Sequence, residues 1–444
     1  MAGRSLLLLA LPLEAGFLLL NRLHDLGRSV IAYIAISFAI ALFYIFCCWW
    51  VTQKRAFAGH RPLAYVLLAG LAFRLTLLPL YPSLSEDAYR YRWEGKLQAA
   101  GGNPYVEAPE APRWARLRDS AWRLVNRKDL TAGYGPVLEL TFRWTYAAAA
   151  RVTPSASGQL RLFKIPFLLF ELATSAMVVL LLARLGLPRE WVLIYFWSPL
   201  PVVEFWANGH NDPLLLFFLV AAVWAACSDR WAWALLALWL AVLTKFWPAL
   251  LFPLFLWSGG PRRLLPRAAW TLAWTPVAAL FCLPYWRGAA ALRRVLPGLL
   301  AGWRNNASLF NVVYAWAGGD FERAKPVVAA LVILAALAIA ARRPPIAQGV
   351  LWTTAAILFL SANCFPWYLT WLLPLLAVLP NAALLLWTAL VPLAYHILIR
   401  YHADRQWIED PFYLWLEYAP VFAMLLAAPA LARLRLVRPK ASAP

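Results

Sequence analysis

Ser29-Val30-Ile31-Ala32-Tyr33-Ile34-Ala35-Ile36-Ser37-Phe38-Ala39-Ile40-Ala41-Leu42-Phe43-Tyr44-Ile45-Phe46-Cys47-Cys48-Trp49-Trp50-Val51 contains no charged residue. As a helix, rising about 1.5 Å per residue, it is long enough to cross the roughly 30 Å hydrocarbon core of a bilayer. Further apolar runs, several of them carrying a charged residue or two, recur near 5–21, 62–80, 137–151, 161–183, 190–206, 212–227, 231–257, 268–286, 325–341, 347–361, 366–380, 382–399 and 413–432. Hydrophobic residues make up 63% of the chain and charged ones 14%, a balance foreign to soluble globular domains. The expected fold is an all-α polytopic membrane protein of about 12–14 transmembrane helices, one domain over 1–444. The N-terminal run has a signal-peptide flavour, but Pro12 and Glu14 interrupt its core and the apolar run resumes to Leu20, so it is read as an uncleaved first span.

The formal charge is +20, and basic residues gather in short clusters between runs: Lys54, Arg55 and Arg61; Arg262, Arg263 and Arg267; Arg342 and Arg343; Arg433, Arg435, Arg438 and Lys440. That is the positive-inside pattern, and it places both termini on the cytoplasmic side. No long basic helix or aromatic platform suggests nucleic acid, which is set aside as a partner. The five cysteines fall mostly in apolar runs without metal-ligand spacing and read as small core residues.

Three polar interruptions, Tyr81–Gly135, Arg287–Lys325 and Arg400–Pro411, then fall on the opposite, non-cytoplasmic face. The first (81–135) is the candidate catalytic external loop, with interfacial helices, and the second (287–325) a further external loop. Within the first, Asp87, Arg90, Tyr91 and Glu94 are spaced to share one face of a helix. Ser83 or Ser85 can cap that helix, and Gly101-Gly102 before Asn103-Pro104 ends it. By simple alternation Gly209-His210-Asn211-Asp212 lies on the cytoplasmic side. It joins the external chemistry only if run 190–206, with Pro199 and Pro201, or run 231–257, with Lys245 and Pro248, is broken.

Several motifs in order resemble the polyprenyl-phosphate-sugar-dependent glycosyltransferases of the GT-C type, especially a bacterial and mycobacterial mannosyltransferase-like group. They are Asp87-Ala88-Tyr89-Arg90-Tyr91-Arg92-Trp93-Glu94-Gly95 with Asn103-Pro104-Tyr105; Tyr134-Gly135-Pro136; Gly209-His210-Asn211-Asp212-Pro213; Leu243-Thr244-Lys245-Phe246-Trp247-Pro248; Trp303-Arg304-Asn305-Asn306-Ala307-Ser308-Leu309-Phe310; and Pro366-Trp367-Tyr368-Leu369-Thr370-Trp371. The resemblance covers about 82–374. It implies a GT-C-like helix bundle, a polyprenyl-phosphate sugar as donor, and an acidic base in the first external loop, a position matched by Asp87. Where some relatives carry a histidine before Pro-Trp-Tyr, this chain has Phe365. An Asp–His relay from that position is absent, leaving His210, His402 or no histidine to assist.

Transfer from a lipid phosphate needs a base at the acceptor hydroxyl, cations around the departing phosphate, and a pocket for the sugar. A single carboxylate suits an inverting displacement. Asp87 is the expected base; its alternative is a structural pairing with Arg90 or Tyr91. Glu86 reads as a neighbour of the site, and Glu94 either orients a sugar hydroxyl or balances Arg90. Arg90, Arg92 and Arg304 are candidate phosphate or sugar ligands, whereas Arg293 and Arg294 fit interfacial residues better. Trp93, Tyr105, Trp367 and Tyr368 can stack on a sugar or line an isoprenoid groove, and Tyr91, Asn103, Tyr134 and Asn306 complete the substrate set. His210 with Asp212 is a proton-relay pair or a capped helix start, and Lys245 a phosphate contact or a snorkelling lysine. Glu86 beside Asp87 lacks a third ligand, so no metal or other cofactor is expected.

The expected activity is transfer of a hexose, mannose first, to a lipid-linked or cell-envelope acceptor on the outer face of a bacterial inner membrane. The rivals are a transporter or flippase of lipid-linked sugars, and a non-catalytic relative that binds them. Polar chemistry concentrated in one loop, without repeated halves, argues against transport.

Overall fold

The computed structural model describes residues 2–53, 61–288, 304–404 and 406–436, and among these the secondary structure is helical, with one isolated bridge between Asn305 and Asn363. Six helices are long and apolar enough to cross a membrane: Ser5–Arg22, Val30–Gln53, Ala156–Arg184, Pro261–Gly288, Phe321–Ala341 and Ala382–Asp404. Large apolar side chains point outward around the bundle, among them Leu8, Ile31, Leu42, Leu169, Leu272 and Leu426. In water such a surface would be a liability; in a bilayer it is the solvent-facing side. The chain is an all-α polytopic membrane protein.

The first part builds α1 (Ala2–Arg22), α2 (Val30–Gln53) and α3 (Arg61–Leu77), which pack together. Next come α4 (Asp87–Ala99), α5 (Pro136–Val152) and α6 (Ala156–Arg184). Helix α4 forms as its spacing predicts. Ser85 Oγ accepts the Asp87 amide at 3.2 Å, while Ser83 Oγ is turned instead to the Leu26 amide at 3.0 Å. At its C-terminus Gly101 takes φ +88° and the Gly102 amide returns to Leu97 O, a left-handed cap that suits glycine.

Several of the remaining apolar runs are not single helices. Run 190–206 divides into Arg189–Val192, Leu193–Phe196, Pro199–Pro201 and a π-helical turn, Val202–Ala207. Pro199 and Pro201 lack the amides a continuing helix needs. Carbonyls at the end of the preceding helical segment find side-chain donors: Tyr44 reaches Ile194 O, and Arg74 Nη1 reaches Phe196 O at 2.6 Å. Arg74 is fully buried and its other nitrogens clasp Glu171 on α6 at 2.9 and 2.5 Å, a two-pronged pair that offsets the cost of burying both charges. Run 231–257 likewise ends as a helix at Thr244, and Pro248 and Pro253 open the short turns Trp247–Leu251 and Phe252–Trp257. Some of the runs expected as continuous spans are thus broken helices within the all-α bundle.

Candidate active site

Both breaks turn polar backbone toward α4. Asn208, just past the π-helical turn, accepts the amides of Ser83 and Leu84 through Oδ1 at 3.3 and 3.2 Å, docking the Asn208–Asp212 loop against the start of α4. Lys164 of α6 is buried beneath, with Nζ donating to Leu80 O and Trp206 O at 2.5 and 2.8 Å. On the far side, the Gly135 amide donates to Thr244 O at 2.9 Å. A Cβ at Gly135 would lie 2.0 Å from Leu243 O, so only glycine allows this approach. The loop at 208–212 and the break at Lys245 therefore share one end of the bundle with Asp87. The alternation that assigned Gly209–Asp212 to the other side fails because runs 190–206 and 231–257 are both broken.

These elements enclose a cavity of about 510 Å³ whose wall includes Glu86, Asp87, Arg90, Glu94, Tyr134, Lys245, Trp367 and Tyr368. Asp87 presents a carboxylate with 17% of its side chain exposed. Asn126 Nδ2 donates to its Oδ1 at 2.6 Å and Tyr91 Oη to its Oδ2 at 3.3 Å. Burial raises the Asp87 pKa above the usual aspartate value; the Asn126 hydrogen bond and the Lys245 charge pull it down, and Asp212 pushes it up. Behind it, His210 Nδ1 lies 3.9 Å from Asp87 Oδ2, and His210 Nε2 lies 3.4 Å from Glu204 Oε2. Glu204 is fully buried and held by Tyr395 Oη at 2.8 and 3.0 Å. His210 is itself buried, which, with the Lys245 charge, holds its pKa well below the ordinary value and keeps the ring neutral near pH 7. Its imidazole stacks on Trp367 at 4.0 Å, and Trp367 stacks on Phe365 at 4.5 Å. The position occupied by Phe365 thus supports the histidine that comes from 210.

Across the cavity Lys245 Nζ meets Asp212 Oδ1 at 2.5 Å, and Trp371 Nε1 donates to the same oxygen at 2.7 Å. Tyr368 and Trp371 lie beneath the ammonium, 5.4 and 5.5 Å from ring centre to Nζ. The site therefore has a carboxylate on one wall and an aromatic-flanked cation on another.

The other sequence candidates fall in different surroundings. Arg90 lines the wall but donates to Glu94 at 2.6 Å and to the carbonyls of Arg127 and Leu130 at 2.9 and 2.7 Å, so its guanidinium fixes the loop. Arg92 is buried against Asp119 and Gln159, and Trp93 packs with Leu97, Trp114 and Val125. Asn103 caps the Tyr105 amide, and Tyr105 Oη donates to Tyr134 O at 2.6 Å. Arg304 bonds Asn311 at 2.8 Å and lies over Tyr314, while Asn306 is buried between Cys364 O and Glu417. Arg293 and Arg294 lie outside the described residues, as do Lys54, Arg55, Trp303, Arg438 and Lys440. Among the described residues no group of three histidine, cysteine or acidic side chains could hold a metal ion. Three partners escape a reading of sequence: Asn126, Glu204 and Tyr395. Glu204 carried a signal, an acid inside an apolar run, where ionisable groups are expensive to keep; Asn126 carried none.

A family model described as "Alpha-(1->6)-mannopyranosyltransferase, N-terminal domain" matches residues 5–259. A curated protein named alpha-(1->6)-mannopyranosyltransferase A, from Mycobacterium tuberculosis (strain ATCC 25618 / H37Rv), is 21% identical over 409 residues. That similarity covers 86% of this chain and 77% of the relative. No solved structure matches the chain significantly.

Proposed function

Because the chain belongs to the alpha-(1->6)-mannopyranosyltransferase family, we propose that it moves mannose from a polyprenyl-phosphate donor to a lipid-linked or cell-envelope acceptor, inverting the anomeric centre, with Asp87 as base. The observation that carries this reading is Asp87 itself, a raised-pKa carboxylate on the wall of a cavity whose other wall holds Lys245. The acceptor hydroxyl gives its proton to Asp87 as its oxygen bonds to the anomeric carbon. The bond from that carbon to the phosphate oxygen breaks, and the phosphate leaves with the electron pair. Lys245 faces that departing charge, and its contact with Asp212 keeps it in place before the donor arrives. One carboxylate suffices, because phosphate needs no general acid to leave. His210 and Glu204 extend the row away from the cavity, with contacts of 3.9 and 3.4 Å that would have to tighten for the proton of Asp87 to pass inward. The basic clusters support placing this cavity on the non-cytoplasmic face, where a lipid-linked donor is the kind at hand.

Purified protein in lipid, with radiolabelled polyprenyl-phosphate mannose and an envelope-lipid extract, tests the proposal. Wild type should label a new product, and Asp87→Asn should lose at least about 100-fold in rate, the usual contribution of a positioned base. Equal transfer by both proteins would remove Asp87 from the role.

A further inference from the structure

Helices Asp212–Cys227 and Trp231–Thr244 pack as an antiparallel pair, with Asp212 and Lys245 at the cavity end. At the opposite end lies a second cleft of about 580 Å³, lined by Arg230, Arg262, Arg263 and Arg267 with Trp231 and Asp229. Four guanidiniums face one carboxylate, and Asp229 is engaged by Arg263 at 3.0 Å. Arg267 is the built part of the site. It is only 3% exposed, its Nη1 donates to the carbonyls of Phe255 at 3.1 Å and Ser258, and its plane lies over Trp231 at 3.3 Å. Its buried Nε nevertheless has no partner. Arg230 and Arg262 are exposed at the rim, and among the described residues neither forms an ion pair.

A guanidinium held through Nη1 and stacked on an indole, with its buried Nε unpaired, is arranged for an anion. The rim says which kind. Leu265 is 81% exposed and Leu272 68%, with Trp233 and Trp270 beside them, so the cleft opens beside surface that belongs in lipid. A soluble phosphate would gain nothing from that rim, whereas a lipid places a charged head beside apolar tails. We infer that this cleft binds the phosphate head group of an anionic phospholipid on the membrane face opposite the Asp87 cavity. Indoles at head-group depth and arginines attracted to the anionic leaflet fit the same occupant. The inference is independent of which sugar the protein transfers.

Native mass spectrometry of the full chain, released from micelles containing phosphatidylglycerol or phosphatidylcholine, reads the lipid retained. Phosphatidylglycerol should be held in preference. Arg230→Gln with Arg262→Gln, both exposed, should weaken its retention roughly 25-fold, about fivefold for each arginine removed. Arg116→Gln with Arg123→Gln, exposed in the 81–135 loop, should leave it unchanged. Equal retention of the two lipids, or of phosphatidylglycerol by the Arg230/Arg262 variant, would overturn the site. Displacement of the lipid by millimolar glycerol phosphate would overturn the lipid as its occupant in favour of a soluble phosphate.

Discussion

Asp87 sits among neighbours that pull its proton in opposite senses. Burial opposes ionisation, and Asn126 and Lys245 favour it, with the balance on the raised side of the ordinary value of 3.8. A base must be ionised to act, so transfer should fall on acidification at a midpoint above 3.8. The pH dependence of the rate at saturating donor reads it directly. Asn126→Ala removes a donor to the charged form and should move that midpoint further up; an unmoved profile would show that another group controls it. His210→Gln should cost about tenfold in rate with donor KM unchanged, since the imidazole lies 3.9 Å behind the base and does not line the cavity. At this scale the sequence was readable for Asp87, Tyr91 and Lys245, whose helical spacing or adjoining prolines mark them. It was unreadable for Asn126, which lies 39 residues from Asp87 in irregular chain and meets it only through the fold.

Helix α4 is a polar helix held by charges from beyond its own turns. Arg92 and Lys96 both reach Asp119, at 2.8 and 2.7 Å. Burial pushes the Asp119 carboxyl up, but hydrogen bonds from Arg92 and Lys96 outweigh it and hold the pKa down to about 2. A carboxyl lowered from 3.8 to about 2 contributes stability that is complete above the unfolded value and lost as pH falls from about 4 to 2. Asp119→Asn should therefore lower stability by about 1–3 kcal/mol at neutral pH and flatten the loss on acidification. Proteolysis within 112–124, followed against pH, is the measurement; an unchanged cleavage rate would mean that the loop is held elsewhere. The long helices were legible from their hydropathy, and α4 from its face and caps. The broken runs were not, because hydropathy counts apolar residues without recording which carbonyls lose their amides. The prolines at 199, 201 and 248 marked where a break was allowed, but only Arg74, Tyr44 and the Gly135 contact show that it is used.

At the scale of the molecule, the proposed orientation puts the basic clusters and the Asp87 cavity on opposite faces. Cysteines introduced by R116C and R343C, in a background lacking Cys227 and Cys282, should be labelled from opposite sides by an impermeant maleimide, with R116C reached from outside intact cells. Labelling of both from one side would invalidate the orientation. The helices that join the two faces are short: Asp212–Cys227 has 16 residues and Trp231–Thr244 has 14. They measure about 24 and 21 Å, against a hydrocarbon thickness of roughly 30 Å. Held at head-group level by the arginines of their other end, these helices are expected to leave the Lys245–Asp212 pair several ångströms below the level at which a full-length span would surface. A lipid-borne phosphate must then dip to meet it, and how far it dips is set by the membrane as much as by the protein. Reconstituted into bilayers of lengthening acyl chain, the protein should slow as the head-group plane rises away from its lysine.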